Sequence, residues 1–139
     1  MVVPFRLDGQ RYGAPITLVR EVGYMQAATR LPLTPDWVEG VVDLRGEVLP
    51  VINLRRRLGL PEKALTAETR LMVLASSERS VALIVDEVDT VTILSDEQIG
   101  QPDAGLLPGA EEYLTGVART GDGLILLIDL VRLLGFAAV

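Results

Sequence analysis

The stretch from Gly40 to Leu60, GVVDLRGEVLPVINLRRRLGL, decides the fold. Val41, Val42 and Leu44 precede an Arg45-Gly46 turn, and Val48, Leu49, Val51 and Ile52 follow it, so two β-rich runs around a glycine turn predict a hairpin. Asn53 stands where a helix N-cap belongs, Leu54 and Leu58 fall four apart on one face, and Gly59 with Pro61 supplies the stop signal. Pro50, inside the second apolar run, predicts an edge or a bulge there.

The same block returns 76 positions later. Gly40, Val41, Ile52, Leu54, Arg56, Leu58 and Gly59 fall on Gly116, Val117, Ile128, Leu130, Arg132, Leu134 and Gly135, and Asn53 meets Asp129, one cap for another. The turn Arg45-Gly46-Glu47 becomes Gly121-Asp122-Gly123, which tolerates the positive φ of a tight hairpin. A fainter echo links Val19-Arg20-Glu21-Val22 to Val85-Asp86-Glu87-Val88. Two pseudo-equivalent β units in one chain follow; two copies are too few for a solenoid.

A chain of 139 residues is the length of one domain, and with 49% hydrophobic but only 4% aromatic residues its core must be aliphatic. A net charge of -6 opposes phosphate-backbone binding. The one local exception is Arg55-Arg56-Arg57, which reads as the solvated face of a short helix. No apolar run reaches membrane-spanning length and the N-terminus has no signal-type pattern, so the expectation is a soluble cytoplasmic chain without direct membrane insertion.

Cysteine and histidine are both absent, which excludes disulfides, thiolate catalysis, the usual zinc sites and a Ser-His-Asp triad within these residues. Carboxylates cluster at Asp86, Glu87 and Asp89 and at Glu111-Glu112, and such groups can do acid-base work or hold a hard cation. The first set interrupts a Val/Ile-rich strand pattern, where charge marks a bulge or an edge, and the second lies in a Pro-Gly-rich stretch. Neither forms a constellation of nucleophile, base and orienter. The expectation is therefore a non-enzyme with no cofactor and no metal.

Short apolar runs with dense punctuation predict ten strands: Val2 to Leu7, Arg11 to Ile16, Glu21 to Met25, Val41 to Leu44, Glu47 to Ile52, Leu71 to Ala75, Val81 to Val85, Val88 to Leu94, Leu114 to Ala118 and Leu124 to Ile128. Helical turns are predicted at Pro35 to Glu39, Leu54 to Leu58 and Leu130 to Leu134, and Ser95 to Gly109 as a loop with one helical turn at most. Ten short strands and few helices mean an all-β barrel or a pair of barrels.

These residues resemble the CheW-type coupling proteins of bacterial chemotaxis, in which a G-V-x-x-L-R-G hairpin precedes a P-V-[IV]-[DN]-L-R segment. Arg11-Tyr12-Gly13, Val19-Arg20-Glu21-Val22, Leu33-Thr34-Pro35, Val85-Asp86-Glu87-Val88 and Tyr113-Leu114-Thr115-Gly116 fall in the family's order, so the likeness spans essentially the whole chain. It implies two packed five-stranded SH3-like barrels, here a single CheW-like domain over residues 1–139 made of two pseudo-repeated subdomains. It also implies a stand-alone, non-catalytic adaptor, monomeric in isolation and an array component in the cell. Its partners would be the regulatory domain of a CheA-type histidine kinase and the cytoplasmic tip of methyl-accepting chemoreceptors, with no nucleic acid among them.

The family's partner-binding positions match Val19, Glu21, Val22, Gly40, Val42, Arg45, Gly46 and Val48 here. Four of them, Val19, Val22, Val42 and Val48, would wall a receptor groove, and Arg45 would face Glu21 in a charged pair. Asp43 stands where many relatives carry asparagine, Asn53 where many carry aspartate, and Pro4 enters the first strand. An adaptor of a non-flagellar chemosensory pathway is the alternative reading of the same residues. A small-ligand-binding barrel is the less favoured one, because barrels this small are filled by their own side chains.

Overall fold

The computed structural model describes residues 1–76, 79–101 and 113–135. The chain divides into two compact units, Thr17–Val88 and Met1–Ile16 with Asp89–Val139. In chain order the strands are β1 (Val2–Leu7), β2 (Gln10–Pro15), β3 (Val19–Tyr24), β4 (Val38–Leu44), β5 (Glu47–Asn53), β6 (Arg70–Ser76), β7 (Arg79–Val85), β8 (Glu87–Val88), β9 (Ile99–Gly100), β10 (Leu114–Thr120) and β11 (Gly123–Ile128). Two short helices, α1 (Leu54–Arg57) and α2 (Leu130–Leu134), follow β5 and β11.

The strands form two sheets, β3-β6-β7-β5-β4 and β8-β1-β2-β11-β10-β9. Within each, two antiparallel hairpins meet along one parallel seam, β5 beside β7 and β11 beside β2. The 76-residue offset is reproduced bond by bond. The β4–β5 register slips between Val38 and Gly40, and the β10–β11 register slips between Leu114 and Gly116. Asn53 N–H donates to the Trp37 carbonyl at 2.7 Å, and Asp129 N–H donates to that of Tyr113 at 2.7 Å. The caps correspond too: Asn53 Oδ1 accepts from Arg56 N–H at 3.2 Å and Asp129 Oδ1 from Arg132 N–H at 3.0 Å. Even the fainter echo has a counterpart, since β3 and β8 take the same terminal place in two sheets of equivalent order.

In the Thr17–Val88 unit, Val42, Leu49, Val51, Leu71, Val73 and Ala82 face one another as an aliphatic core. Strands are about 4.8 Å apart, so β3 and β4, four places apart in the order, would stand about 19 Å apart in a flat sheet. Yet Arg45, at the β4–β5 turn, reaches Glu21 on β3. The sheet therefore curls until its ends face each other, and side-chain pairs bridge the gap. The Met1–Ile16 and Asp89–Val139 unit buries Phe5, Leu7, Ala118 and Ile125, and Phe5, the one buried aromatic among the described residues, stacks on Tyr12 with ring centroids 5.7 Å apart.

Several expectations are corrected. Pro50 lies on no edge, because β5 runs between β7 and β4, but the register shift expected as the alternative falls next to it, between Val38 and Gly40 opposite Ile52 and Val51. Pro50 stands opposite Val41, whose N–H and C=O both turn away to bond Thr29 at 2.9 and 2.8 Å, so the missing proline N–H leaves no acceptor of Val41 waiting. The helical turn expected at Pro35 to Glu39 is a β-turn, closed by Val38 N–H on the Pro35 carbonyl at 3.0 Å, because Val38 is drawn into β4 opposite Ile52. The strand expected over Val88 to Leu94 stops at Val88. Asp89 N–H donates to the Pro4 carbonyl at 2.8 Å, but Pro4 has no N–H to return, and pairing with β1 resumes only as the Val2–Thr92 bridge. The described part of the expected loop has one helical turn as expected, the 3₁₀ turn Asp96–Gln98, but then the short β9; the remainder from 102, and Glu111-Glu112, lie outside the described residues.

The arginine run is corrected as well. Successive residues of a helix point about 100° apart, so a one-turn helix cannot put three neighbours on one solvated face. Arg55 turns inward and forks onto Asp86, Nε to Oδ1 at 3.0 Å and Nη2 to Oδ2 at 2.6 Å. Arg56 reaches Glu62 and Glu39, and the Arg57 guanidinium stands over the Trp37 ring, 5.7 Å from its centroid.

Candidate functional site

The expected site residues fall on β3, β4 and β5 and the turn between the last two. Residues directly opposed in a ladder share a face of the sheet. Val19 opposes Leu74 and Val22 opposes Met72, while Glu21 between them opposes Val73, a core residue. The register shift between Val19 and Glu21 leaves Arg20 as the extra residue of a bulge. That bulge is why Val19 and Val22, three apart, lie on one face, although unbroken alternation would separate them.

On β5, Leu49 and Val51 belong to the core, so Val48 points to the opposite face, the one that also carries Ile52, Leu83, Met72 and Leu74. Val19, Val22 and Val48 thus share one face of the sheet. This face is buried along β6 and β7 and open at its margins, where Val22 is 42% and Val48 64% exposed. Val42 is different. It opposes Leu49, is 5% exposed and sits in the core, so it presents no wall to a partner.

Both glycines act through the backbone. Gly40 has φ +141, and a Cβ there would collide with the carbonyl of Thr29, which bridges to Val41. Arg45 (φ 54) and Gly46 (φ 87) are both left-handed, the requirement of a type I′ turn. Asp43 completes it, accepting the Gly46 N–H on Oδ1 at 2.8 Å, as an asparagine carbonyl would.

Charges gather where the sheet ends meet. Arg45 Nη1 donates to Glu21 Oε2 at 2.8 Å, joining the residues expected as a pair. Arg20, on the bulge, donates to Glu47 Oε1 at 2.7 Å and to Ser80 Oγ at 3.2 Å, contacts the sequence reading missed. Glu21 Oε1 is buried without a hydrogen-bond partner, beside a gap of about 20 Å³ lined by Val42, Leu44, Leu49 and Leu71. Glu21 therefore depends on Arg45 more than Arg45, largely in solvent, depends on Glu21. Asn53 caps α1 and also donates Nδ2 to Glu39 Oε1 at 2.8 Å, a bond aspartate could not supply.

Residues 1–137 match the family model described as CheW-like domain. The chain belongs to the CheW-like domain family. It is 35% identical over 130 residues to the chemotaxis protein CheW of Klebsiella aerogenes, covering 94% of this chain and 78% of that one. It is 32% identical to CheW of Bacillus subtilis, covering 92% and 82%. The crystal structure of the scaffolding protein TtCheW from Thermoanaerobacter tengcongensis superposes with a TM-score of 0.85 at 31% identity, covering 95% of this CheW-like chain and 85% of that structure. No helix among the described residues is long and apolar enough to cross a membrane.

Proposed function

We propose that this CheW-like chain is a non-catalytic, cytoplasmic adaptor that couples chemoreceptors to a CheA-type histidine kinase. The observation that carries the reading is the face on which the Arg20 bulge gathers Val19 and Val22 with Val48, its margins open to solvent. β-Branched side chains are stiff at χ1, so this rim is preorganised and loses little entropy when an apolar helix docks. Each valine newly covered contributes about 1 kcal/mol at roughly 25 cal/mol per Å². That makes a weak contact, of the kind that multivalency in an array strengthens. Arg45, Glu21, Arg20 and Glu47 hold the β4–β5 turn against β3 and so set the spacing between the strands that bear Val22 and Val48.

The test is a titration of Val22→Asp and Val48→Asp with a receptor-tip fragment and, separately, with the kinase regulatory domain. Both side chains are outside the core, so the variants keep the wild-type melting temperature within about 2 °C. Receptor affinity falls at least ten-fold while kinase affinity stays unchanged. Undiminished receptor binding in both variants would refute the assignment of this face.

A further inference from the structure

The segment from Leu60 to Thr69 passes from α1 to β6 without a helix or strand of its own. Its two ends are tied by uncharged bonds. Leu60 N–H donates to the Arg55 carbonyl at 2.8 Å, and at the far end Thr69, which is buried, closes a turn with Thr66 through Thr66 N–H to Oγ1 at 3.0 Å. Between them the attachments are mostly charged. Arg55 Nη1 donates to the Pro61 carbonyl at 2.6 Å, Arg56 Nε to Glu62 Oε1 at 2.5 Å, and Lys63 Nζ stands 3.9 Å from Asp86 Oδ2. The Arg56 hydrogen bond holds the Glu62 carboxyl below its usual range. Beneath the segment is a half-open cavity of about 290 Å³, whose lining includes Met25, Asn53, Leu65 and Ile84. Met25 and Ile84 also pack against the aliphatic core.

The two sides of this cavity are held by different forces. Its floor includes Ile84 of β7, a strand that seven paired positions of backbone hold to β6 over buried aliphatics. Its roof rests on ion pairs near the surface, which contribute little each and weaken with salt. The Arg55–Asp86 fork is nearly out of water and stays closed; the Arg56–Glu62 pair is open to solvent on the glutamate side. We propose that residues 60–69 form an electrostatically latched strap, with Arg56–Glu62 as the latch, whose release opens the Thr66–Thr69 turn and uncovers the Met25 and Ile84 edge of the core while the Leu60 end stays attached. The strap opens as a local unit, at a free energy below that of unfolding the sheet.

Hydrogen exchange on the full chain tests it, with the amides of Thr66, Glu68 and Thr69 as reporters, since each donates within the strap. Glu62→Gln removes the latch charge, and Glu62→Lys sets a cation against Arg56. Exchange of the strap amides rises about two- to five-fold in Glu62→Gln, matching the worth of an exposed pair, and further in Glu62→Lys. Raising salt from about 0.05 to 1 M carries wild type toward Glu62→Gln and moves that variant less, through the Lys63–Asp86 pair that remains. Amides of β6 and β7 keep their wild-type rates throughout. Strap amides exchanging at the wild-type rate in both variants, or β6 and β7 accelerating in step with them, would overturn the proposal.

Discussion

Arg55→Ala is the sharpest test of how the Thr17–Val88 unit is held together. The Arg55 and Asp86 side chains are 9% and 15% exposed, and their fork supplies two hydrogen bonds of Arg55, while another goes to the Pro61 carbonyl. Removing the arginine leaves a carboxylate out of water with its main partner gone, a loss worth about 3–5 kcal/mol. Lys63 Nζ, 3.9 Å away and mostly in solvent, can move toward the abandoned Asp86, which favours the lower end, about 3 kcal/mol. For a chain of 139 residues each kcal/mol lowers the midpoint by about 3–4 °C, so thermal denaturation followed by circular dichroism should fall by about 10 °C. The companion variant Arg55→Met with Asp86→Leu has no charge left to strand and should recover most of the loss, because replacing both members of a buried pair by apolar side chains is often neutral. A single-variant loss under about 1 kcal/mol, or a double variant as unstable as the single, would refute the reasoning.

Arg45→Ala should cost about 1 kcal/mol, since its guanidinium is in solvent but Glu21 is not, and should weaken receptor binding more than it lowers the melting point. Unchanged binding by titration would separate the Arg45–Glu21 pair from function. Gly40→Ala should destabilise by about 2–3 kcal/mol through its positive φ and the Thr29 collision; wild-type melting with lost receptor binding would instead make Gly40 a contact residue. Leu33 is fully exposed at φ 59, so Leu33→Asn should relieve about 1 kcal/mol of left-handed strain and raise the melting point by about 3 °C; a lower midpoint would show that the leucine side chain is holding its loop.

What could be read from the sequence was whatever depends on local chemistry repeated in a fixed spacing. The Arg45-Gly46 turn, the Asn53 and Asp129 caps and the 76-residue offset all rest on residue types that permit few backbone shapes, and each has its hydrogen bonds in place. The errors share another cause. Whether Val42 faces the core depends on which strand carries Leu49 to it, and whether Arg55 meets solvent depends on Asp86, 31 residues away. Pro50 looked like an edge marker because sequence shows the missing donor and not Thr29, which has taken the bonds of the opposite residue. The bulge at Arg20 has no glycine or proline to announce it, yet it decides that Val19 and Val22 share a face.

The two copies of the repeat act as an internal control on which positions serve the fold common to both. Among the positions that keep identity across the offset, Gly40 and Gly116, and Leu54 and Leu130, are buried. Asn53 and Asp129 exchange one cap for another without loss of the bond. Divergence includes the hairpin turn, where Arg45, Gly46 and Glu47 give way to Gly121, Asp122 and Gly123. Only the first set supplies both an arginine for Glu21 and a glutamate for Arg20, and among the described residues this charged closure is seen in the Thr17–Val88 unit. A hairpin turn needs positive φ, which Gly121-Asp122-Gly123 accommodates at lower strain than Arg45-Gly46-Glu47 does, because Arg45 must adopt φ 54 as a residue with a Cβ. Folding alone gives no reason to keep a strained arginine there. Its retention in one copy is accounted for by what its guanidinium does across the sheet ends, which is hold Glu21 and the turn beside the strand that carries Val22.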